Sequence, residues 1–204
     1  MVKTKSEDVF ESFLAQNDLA FKKIEVDTSV AGQFRPDYLV QTGDSELIFE
    51  VKELTADENF GIGDHVRRMI QRSKRQIQYG ANRGIPSILL IYNLIDPAFQ
   101  MWRTDDLDFT SAMYGKITSL IDTSNRETSE WFHGRNSYLQ VKKNTSFSAV
   151  GRLADRGGKP TVKLFENVYS RVKAPYEQLP PCFFVERVEV SRVPLSFVQR
   201  APGY

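Results

Sequence analysis

The chain has 204 residues and a formal net charge of +1, and its 41% hydrophobic and 26% charged residues are ordinary for a folded globular protein. One cysteine and two histidines exclude a disulfide-stabilised scaffold and a zinc site built from cysteine and histidine clusters. No apolar run approaches the roughly 20 residues of a membrane span, and the charged N-terminal residues do not resemble a signal peptide, so we expect a cytoplasmic protein.

The first predicted element is a helix over residues 5–17, with Ser6 as its N-cap. Residues 20–28 then predict a strand, in which apolar and charged residues partly alternate. The segments 38–40 and 46–54 predict a β-hairpin, because turn-forming residues separate them. The apolar stripe of the helix consists of Val9, Phe10, Phe13 and Leu14.

The central part of the chain predicts a long helix over residues 64–79, capped by Asp64. A continuous apolar run over 88–92 is typical of a strand buried on both faces. A further helix is expected within 105–121, and the polar segment 122–136 is expected to be a loop.

The C-terminal part predicts short strands, a hairpin tip and a tail. The predicted strands are 138–142, 147–153, 161–165 and 183–190, and the hairpin tip is 155–159. We therefore expect a mixed α/β fold, with a core over residues 1–125. A β-rich extension over 126–204 would pack on that core without necessarily forming an independent domain.

Three charged residues converge on one predicted patch. Glu50 and Lys52 are two apart on a strand, so both side chains project to the same face. Asp37, on the adjacent hairpin strand, can reach that face, and the Val51 carbonyl can supply another oxygen. Carboxylate and carbonyl oxygens suit a hard divalent cation, and a lysine can neutralise charge that develops on a phosphate.

This arrangement resembles the PD-(D/E)xK nuclease superfamily: Pro36-Asp37 is followed, thirteen residues after Asp37, by Glu50-Val51-Lys52. The resemblance covers residues 5–92. It implies a restriction-endonuclease-like core with a helix, three antiparallel strands, a helix and a further strand. It also implies that Asp37 and Glu50 hold Mg²⁺ or Mn²⁺, and that Lys52 positions the attacking water or stabilises the transition state.

Many members of that superfamily add a metal-linked glutamate from the first helix. Glu7 fits this role best, and Glu11, one turn later, is the alternative. Some members carry a glutamine and a tyrosine four residues apart on the second helix, whereas Gln76 and Tyr79 are three apart here. The competing interpretation of the whole motif is a solvated Glu50–Lys52 ion pair beside an Asp37 turn.

The predicted helix over 64–79 carries a run of cations opposed only by Asp64, which favours contact with nucleic-acid phosphates over a merely solvated face. The candidate nucleic-acid-binding residues are Arg67, Arg68, Arg72, Lys74, Arg75 and Gln76. His65 is a weaker candidate for phosphate contact. His133 beside aromatic residues is more typical of a structural histidine than of a general base.

The sequence thus predicts a magnesium-dependent nuclease, a hydrolase acting on DNA in restriction, repair or defence. The alternatives are a nuclease-like fold that binds nucleic acid without cutting it, and a protein-interaction module. The C-terminal half is large enough to support a homodimer or to hold a protein partner.

Overall fold

A computed structural model of the chain describes residues 3–24, 34–55, 63–96, 100, 103–129, 132–189 and 196–200; within the last strand only the backbone is described. The described helices are α1 (Lys5–Gln16), α2 (Asp64–Ala81) and α3 (Asp106–Tyr114), with a 3₁₀ turn at Tyr176–Gln178. The described strands are β1 (Phe21–Lys23), β2 (Tyr38–Thr42), β3 (Ser45–Leu54), β4 (Ser87–Asn93), β5 (Ile117–Thr118), β6 (Phe132–His133), β7 (Ala149–Asp155), β8 (Pro160–Glu166), β9 (Phe183–Glu189) and β10 (Ser196–Arg200).

One mixed sheet of eight strands runs through the molecule in the order β1-β2-β3-β4-β7-β8-β9-β10, and β5 and β6 form a separate two-stranded sheet. The pairs β1-β2 and β2-β3 are antiparallel, whereas β4 lies parallel to β3 on one side and to β7 on the other. The expected mixed α/β class is confirmed. Because β7 continues the sheet directly from β4, the C-terminal strands β7 to β10 belong to the same sheet as β1 to β4.

The two faces of the sheet are covered by different helices. On one face, α1 packs its apolar stripe against alternate residues of β2 and β3, and the Phe10 ring lies 5.2 Å from Tyr38 and 5.0 Å from Phe49 between centroids. On the other face, α2 and α3 cover β3, β4 and β7. The side chain of Leu54 belongs to this second core, and strand alternation places Glu50 and Lys52 on the same face.

The close approach of α2 to the sheet depends on Gly80. A Cβ atom at this position would lie 2.5 Å from the Ile48 side chain and 2.3 Å from the Ser87 hydroxyl. Any larger residue would therefore push the helix away from β3 and β4, the strands it covers.

Both predicted helix caps are wrong. The N-cap of α1 is Thr4, whose hydroxyl accepts a hydrogen bond from the Glu7 amide while the Glu7 carboxylate accepts one from the Thr4 amide. This reciprocal pair satisfies two amides that would otherwise lack partners, and it leaves Ser6 inside the helix. At the start of α2 the cap is Gly63 in a left-handed conformation, with φ of 74°, and Asp64 is the first helical residue.

The C-terminal predictions are confirmed for β7, β8, β9 and the hairpin between β7 and β8, but two others are wrong. Residues 138–142 do not form a strand; Gln140 and Lys143 instead close a turn, which leaves Val141 73% exposed. Residues 196–200, expected to be a tail, pair antiparallel with β9. The first strand spans only 21–23, and residues 25–28 of that prediction lie outside the described residues. The helix expected within 105–121 is confirmed over 106–114.

Candidate active site

Asp37 is fixed against β3 at the point where β2 begins. Its amide donates a hydrogen bond of 3.1 Å to the Phe49 carbonyl, and its carboxylate Oδ2 accepts one of 2.7 Å from the Val51 amide. The N–H and C=O groups of one strand residue point toward the same neighbouring strand. The Val51 carbonyl is therefore directed toward the side where Asp37 lies.

Glu50 is the most unusual carboxylate of the site because its side chain is only 1% exposed. It forms an ion pair with Lys52, its one cationic partner among the described residues, and its other charged neighbour is the carboxylate of Asp37. Burial, followed by the charge of Asp37, raises the pKa of Glu50 to about 8, although Lys52 acts in the opposite direction. The site thus keeps two carboxyl groups close together in a place where water cannot stabilise their charges.

Burial and neighbouring charges also shift the pKa values of Asp37 and Lys52. Burial raises the pKa of Asp37, and the hydrogen bond from the Val51 amide and the charge of Lys52 offset only part of that rise. Burial lowers the pKa of Lys52, but the nearby carboxylates Glu50 and Asp37 outweigh it, so the net shift is upward. Lys52 therefore stays protonated, and its side chain, 32% exposed, connects the buried carboxylates with solvent.

Glu7 lies at the N-terminal end of α1, which β3 anchors through a 2.7 Å hydrogen bond from the Ser6 amide to Glu53. Burial raises the pKa of Glu7, but the hydrogen bonds of the Thr4 cap and the charge of Lys23 lower it more. The Glu7 charge in turn raises the pKa of Asp37 and of Lys52. Glu7 is therefore both a cap of its own helix and an electrostatic neighbour of the site.

Glu11 is occupied elsewhere. It accepts a 2.9 Å hydrogen bond from the Tyr38 hydroxyl and forms ion pairs of 2.8 Å with Lys3 and with Lys23. These contacts fasten α1 to β1 and β2. Of the two glutamates considered from the sequence, the geometry favours Glu7 as the one that acts on the site.

The basic residues of α2 separate into two groups. Arg67 is only 5% exposed: it pairs with Asp64 and donates hydrogen bonds to the carbonyls of Ser111, at 2.7 Å, and Asn136, at 3.2 Å. It joins α2 to α3. Because its donors bond inside the protein, Arg67 is not available for the phosphate contact predicted from the sequence. Arg72 and Arg75 are exposed, whereas Arg68, Lys74 and Gln76 are partly buried.

The exposed face of α2 lies beside the chain segment that leads into Asp37. The Arg75 guanidinium lies 4.6 Å from the centroid of the Phe34 ring, and Phe34 precedes Asp37 by three residues. Phe34 was not singled out from the sequence. The only available signal was an aromatic residue next to Arg35, which does not by itself indicate contact with a helix that begins about thirty residues later.

The two histidines, and two cations of the C-terminal half, are buried or bonded within the fold. His65 is buried, and His133 Nδ1 is bonded to the Gly115 carbonyl at 2.9 Å. Lys163 forms ion pairs of 2.5 Å with Asp106 and 2.7 Å with Glu186, and Arg152 also contacts Asp106. The ion pairs of Lys163 and Arg152 with Asp106 tie α3 to the sheet.

Among the residues that the structure describes, no cluster of three or more His, Cys, Asp and Glu side chains could hold a metal ion. The oxygen donors of the candidate site are therefore two carboxylates and a backbone carbonyl.

No described helix is long and apolar enough to cross a membrane. No protein-family model matches the chain, and neither a curated protein nor a solved structure with significant similarity was found.

Proposed function

We propose that this chain is a divalent-metal-dependent nuclease with a restriction-endonuclease-like core, in which Asp37, Glu50 and Lys52 form the active site and DNA is the substrate. The observation that carries the proposal is Glu50. A carboxylate that is 1% exposed, next to a second carboxylate and balanced by one lysine among the described residues, is costly to bury unless it serves a ligand.

The donor set fits a hard cation. Asp37 and Glu50 would hold Mg²⁺ or Mn²⁺ through oxygen atoms, and the Val51 carbonyl is directed toward the same side. A two-carboxylate set of this kind commonly leaves the remaining positions to water and phosphate oxygens. When bound, such an ion supplies Lewis-acid stabilisation of a phosphoryl oxygen and a more acidic bound water.

The protein's own groups then have separate tasks. The Asp37 carboxylate is kept in place by the Val51 amide, so that its free oxygen can face Glu50. Lys52 carries a positive charge at the border between the buried carboxylates and solvent, where it can stabilise charge on a phosphate or orient a water molecule. Arg72 and Arg75, exposed on α2, can contact phosphates farther along the substrate.

The test combines metal binding with cleavage. Calorimetry and thermal unfolding should show that Mg²⁺ or Mn²⁺ binds and stabilises the wild-type protein, and cleavage of plasmid or of single-stranded DNA should require the metal and stop on chelation. Asp37→Asn and Glu50→Gln should each lose both properties while remaining folded by circular dichroism. Glu46→Gln is the matched control, because Glu46 lies on the same strand but is exposed.

Two results would contradict the proposal. If Glu50→Gln bound the metal as tightly as the Glu46→Gln control, the buried carboxylate would not be a ligand. If the wild-type protein bound the metal and DNA but cut neither plasmid nor oligonucleotide, it would be a binding module with a nuclease-like core.

A further inference from the structure

The outer side of α2 carries two aromatic rings, each stacked against an arginine. Phe34 is 42% exposed and lies under the Arg75 guanidinium. One turn farther along the helix, the Arg83 guanidinium lies 3.6 Å from the centroid of the Tyr79 ring, and its Nη1 donates a 2.8 Å hydrogen bond to the Tyr79 carbonyl. Two pairs, each made of an aromatic ring and a guanidinium group, therefore lie next to each other on one surface.

Helical spacing aligns these pairs with a further cation. Arg72, Arg75, Tyr79 and Arg83 are separated by three, four and four residues, so they follow one stripe along α2 and its C-terminal end. Arg75 and Tyr79 are about 6 Å apart along the helix axis, from a rise of about 1.5 Å per residue. Neither Arg72 nor Arg75 forms an ion pair with a carboxylate in the described parts of the chain.

This surface differs from one that only attracts phosphates. A duplex needs cations at its backbone but presents its stacked bases to neighbouring bases, not to flat protein groups. An unpaired strand exposes base faces, and these stack on aromatic rings and on guanidinium planes. The stripe offers both cations for the backbone and flat groups for the bases. Its residue Phe34 lies three residues before Asp37 in the sequence, the carboxylate proposed as a metal ligand.

We infer that the stripe formed by Phe34, Arg72, Arg75, Tyr79 and Arg83 binds an unpaired nucleic-acid strand and leads it to the active site. Bases stack on the Phe34–Arg75 and Tyr79–Arg83 pairs, and Arg72 contacts the backbone. The inference rests on the proposed nuclease function and specifies its substrate class as single-stranded nucleic acid. The competing role is structural, in which Arg83 only satisfies the last carbonyls of α2.

The experiment measures binding in the absence of cleavage. Fluorescence anisotropy in EDTA would compare a labelled 20-nucleotide DNA strand, the same strand as a duplex, and an RNA strand of the same sequence. The wild-type protein should prefer the single strands. Phe34→Ala and Tyr79→Ala should each weaken single-strand binding about 5- to 10-fold, at the lower end of a base–aromatic stack, and should change duplex binding little.

Matched variants separate stacking from charge and from folding. Phe184→Ala removes a ring of similar exposure, 37%, from β9 and should change nothing. Tyr79→Phe keeps the ring and should bind like wild type. Arg72→Ala should weaken single-strand and duplex binding alike and reduce the salt dependence of both. Thermal unfolding of each variant establishes that it is folded.

The possible outcomes distinguish this inference from the nuclease proposal. Equal binding of single strands and duplex, unaffected by Phe34→Ala and Tyr79→Ala, would overturn the single-strand path while metal-dependent cleavage could still be observed. Single-strand binding that depends on both rings, in a protein that cuts nothing with Mg²⁺ or Mn²⁺, would support the path and overturn the nuclease proposal.

Discussion

Two of the buried glutamates in the described part of the chain, one in β8 and one in β3, are buried in opposite ways. Glu166, in β8, is 5% exposed and accepts hydrogen bonds from Arg187 Nε at 2.7 Å and from the Val188 amide at 3.2 Å, with Lys173 nearby at 3.8 Å. Glu50, in β3, is even less exposed, yet its surroundings offer one cation among the described residues, Lys52, and a second carboxylate, Asp37.

We interpret the difference as one between a carboxylate that serves the fold and one that serves the proposed site. A charge that serves the fold is surrounded by donors, because an unsatisfied buried charge costs several kcal/mol. Glu166 meets that condition and joins β8 to β9. Glu50 has one cationic partner among the described residues, Lys52, and the charge of the neighbouring Asp37 opposes its ionisation. Such a pair becomes favourable when a cation or a proton lies between the carboxylates.

The largest effect on stability should distinguish the two glutamates directly. Glu166→Gln leaves the partly buried Arg187 with only the exposed Glu177 as a carboxylate partner among the described residues, so we expect a loss of about 3 kcal/mol in the free energy of unfolding. At neutral pH, below the raised pKa of Glu50, Glu50→Gln replaces a mostly protonated carboxyl with a neutral amide and should change the stability of the metal-free protein by less than about 1 kcal/mol. Urea unfolding in EDTA measures both. Equal losses of unfolding free energy in the two variants would contradict the distinction between the surroundings of Glu166 and Glu50.

Lys52→Met should reduce the rate of metal-dependent cleavage about 100-fold, because it removes a positive charge where negative charge develops on the phosphate. Substrate binding, measured in EDTA, should change much less. Lys22→Met is the control, since Lys22 is exposed on the edge strand β1. A loss of binding as large as the loss of rate would show that Lys52 acts on the ground state.

The sign of the pH dependence follows from the raised pKa of Glu50. This carboxyl has a pKa of about 8 in the folded protein against an ordinary value of 4.5. Its contribution to stability is therefore fully present below the unfolded value and is lost as the pH rises through the folded value. We expect the metal-free protein to lose about 2 kcal/mol of stability between pH 6 and pH 9.

Urea titrations at several pH values, in EDTA, measure this loss. Glu50→Gln should flatten the dependence, and saturating Mg²⁺ should reduce it, because the cation stabilises the ionised carboxylates. Wild-type stability that increased over this pH range would contradict the environment described for Glu50.

The sequence identified the elements that carry the site because their signals are local. The apolar run of β4 indicated a strand buried on both faces, and the turn between β2 and β3 indicated that these two strands form a hairpin. The two-residue spacing of Glu50 and Lys52 required a common face. Thr4 could also have been recognised as the cap of α1, since a threonine three residues before Glu7 is a known helix start.

Other features depend on contacts between distant segments. Arg67 lies next to the apolar stripe of α2, and it is buried only because α3 packs against that flank and offers it the Ser111 carbonyl. The pairing of 196–200 with β9 is likewise decided by the exposed edge of a completed sheet. Helical periodicity gives the direction of a side chain but not the width of the arc that a neighbouring helix will bury.

The smallest expected effect concerns Glu7, which connects the two kinds of carboxylate. Like Glu166, it is satisfied by donors, through the Thr4 cap; like Glu50, its charge acts on Asp37 and Lys52. Glu7→Gln keeps an acceptor for the cap but removes the charge, so stability should fall by at most about 0.5 kcal/mol. The Mg²⁺ concentration for half-maximal cleavage should rise about two- to fivefold, because one anion near the cation is lost.

Glu11→Gln is the control for this prediction. It should disturb the contacts with Lys3, Lys23 and Tyr38 and leave the metal requirement unchanged. If Glu11→Gln instead raised the metal requirement and Glu7→Gln did not, the glutamate that supports the site would lie one helical turn later than the structure indicates.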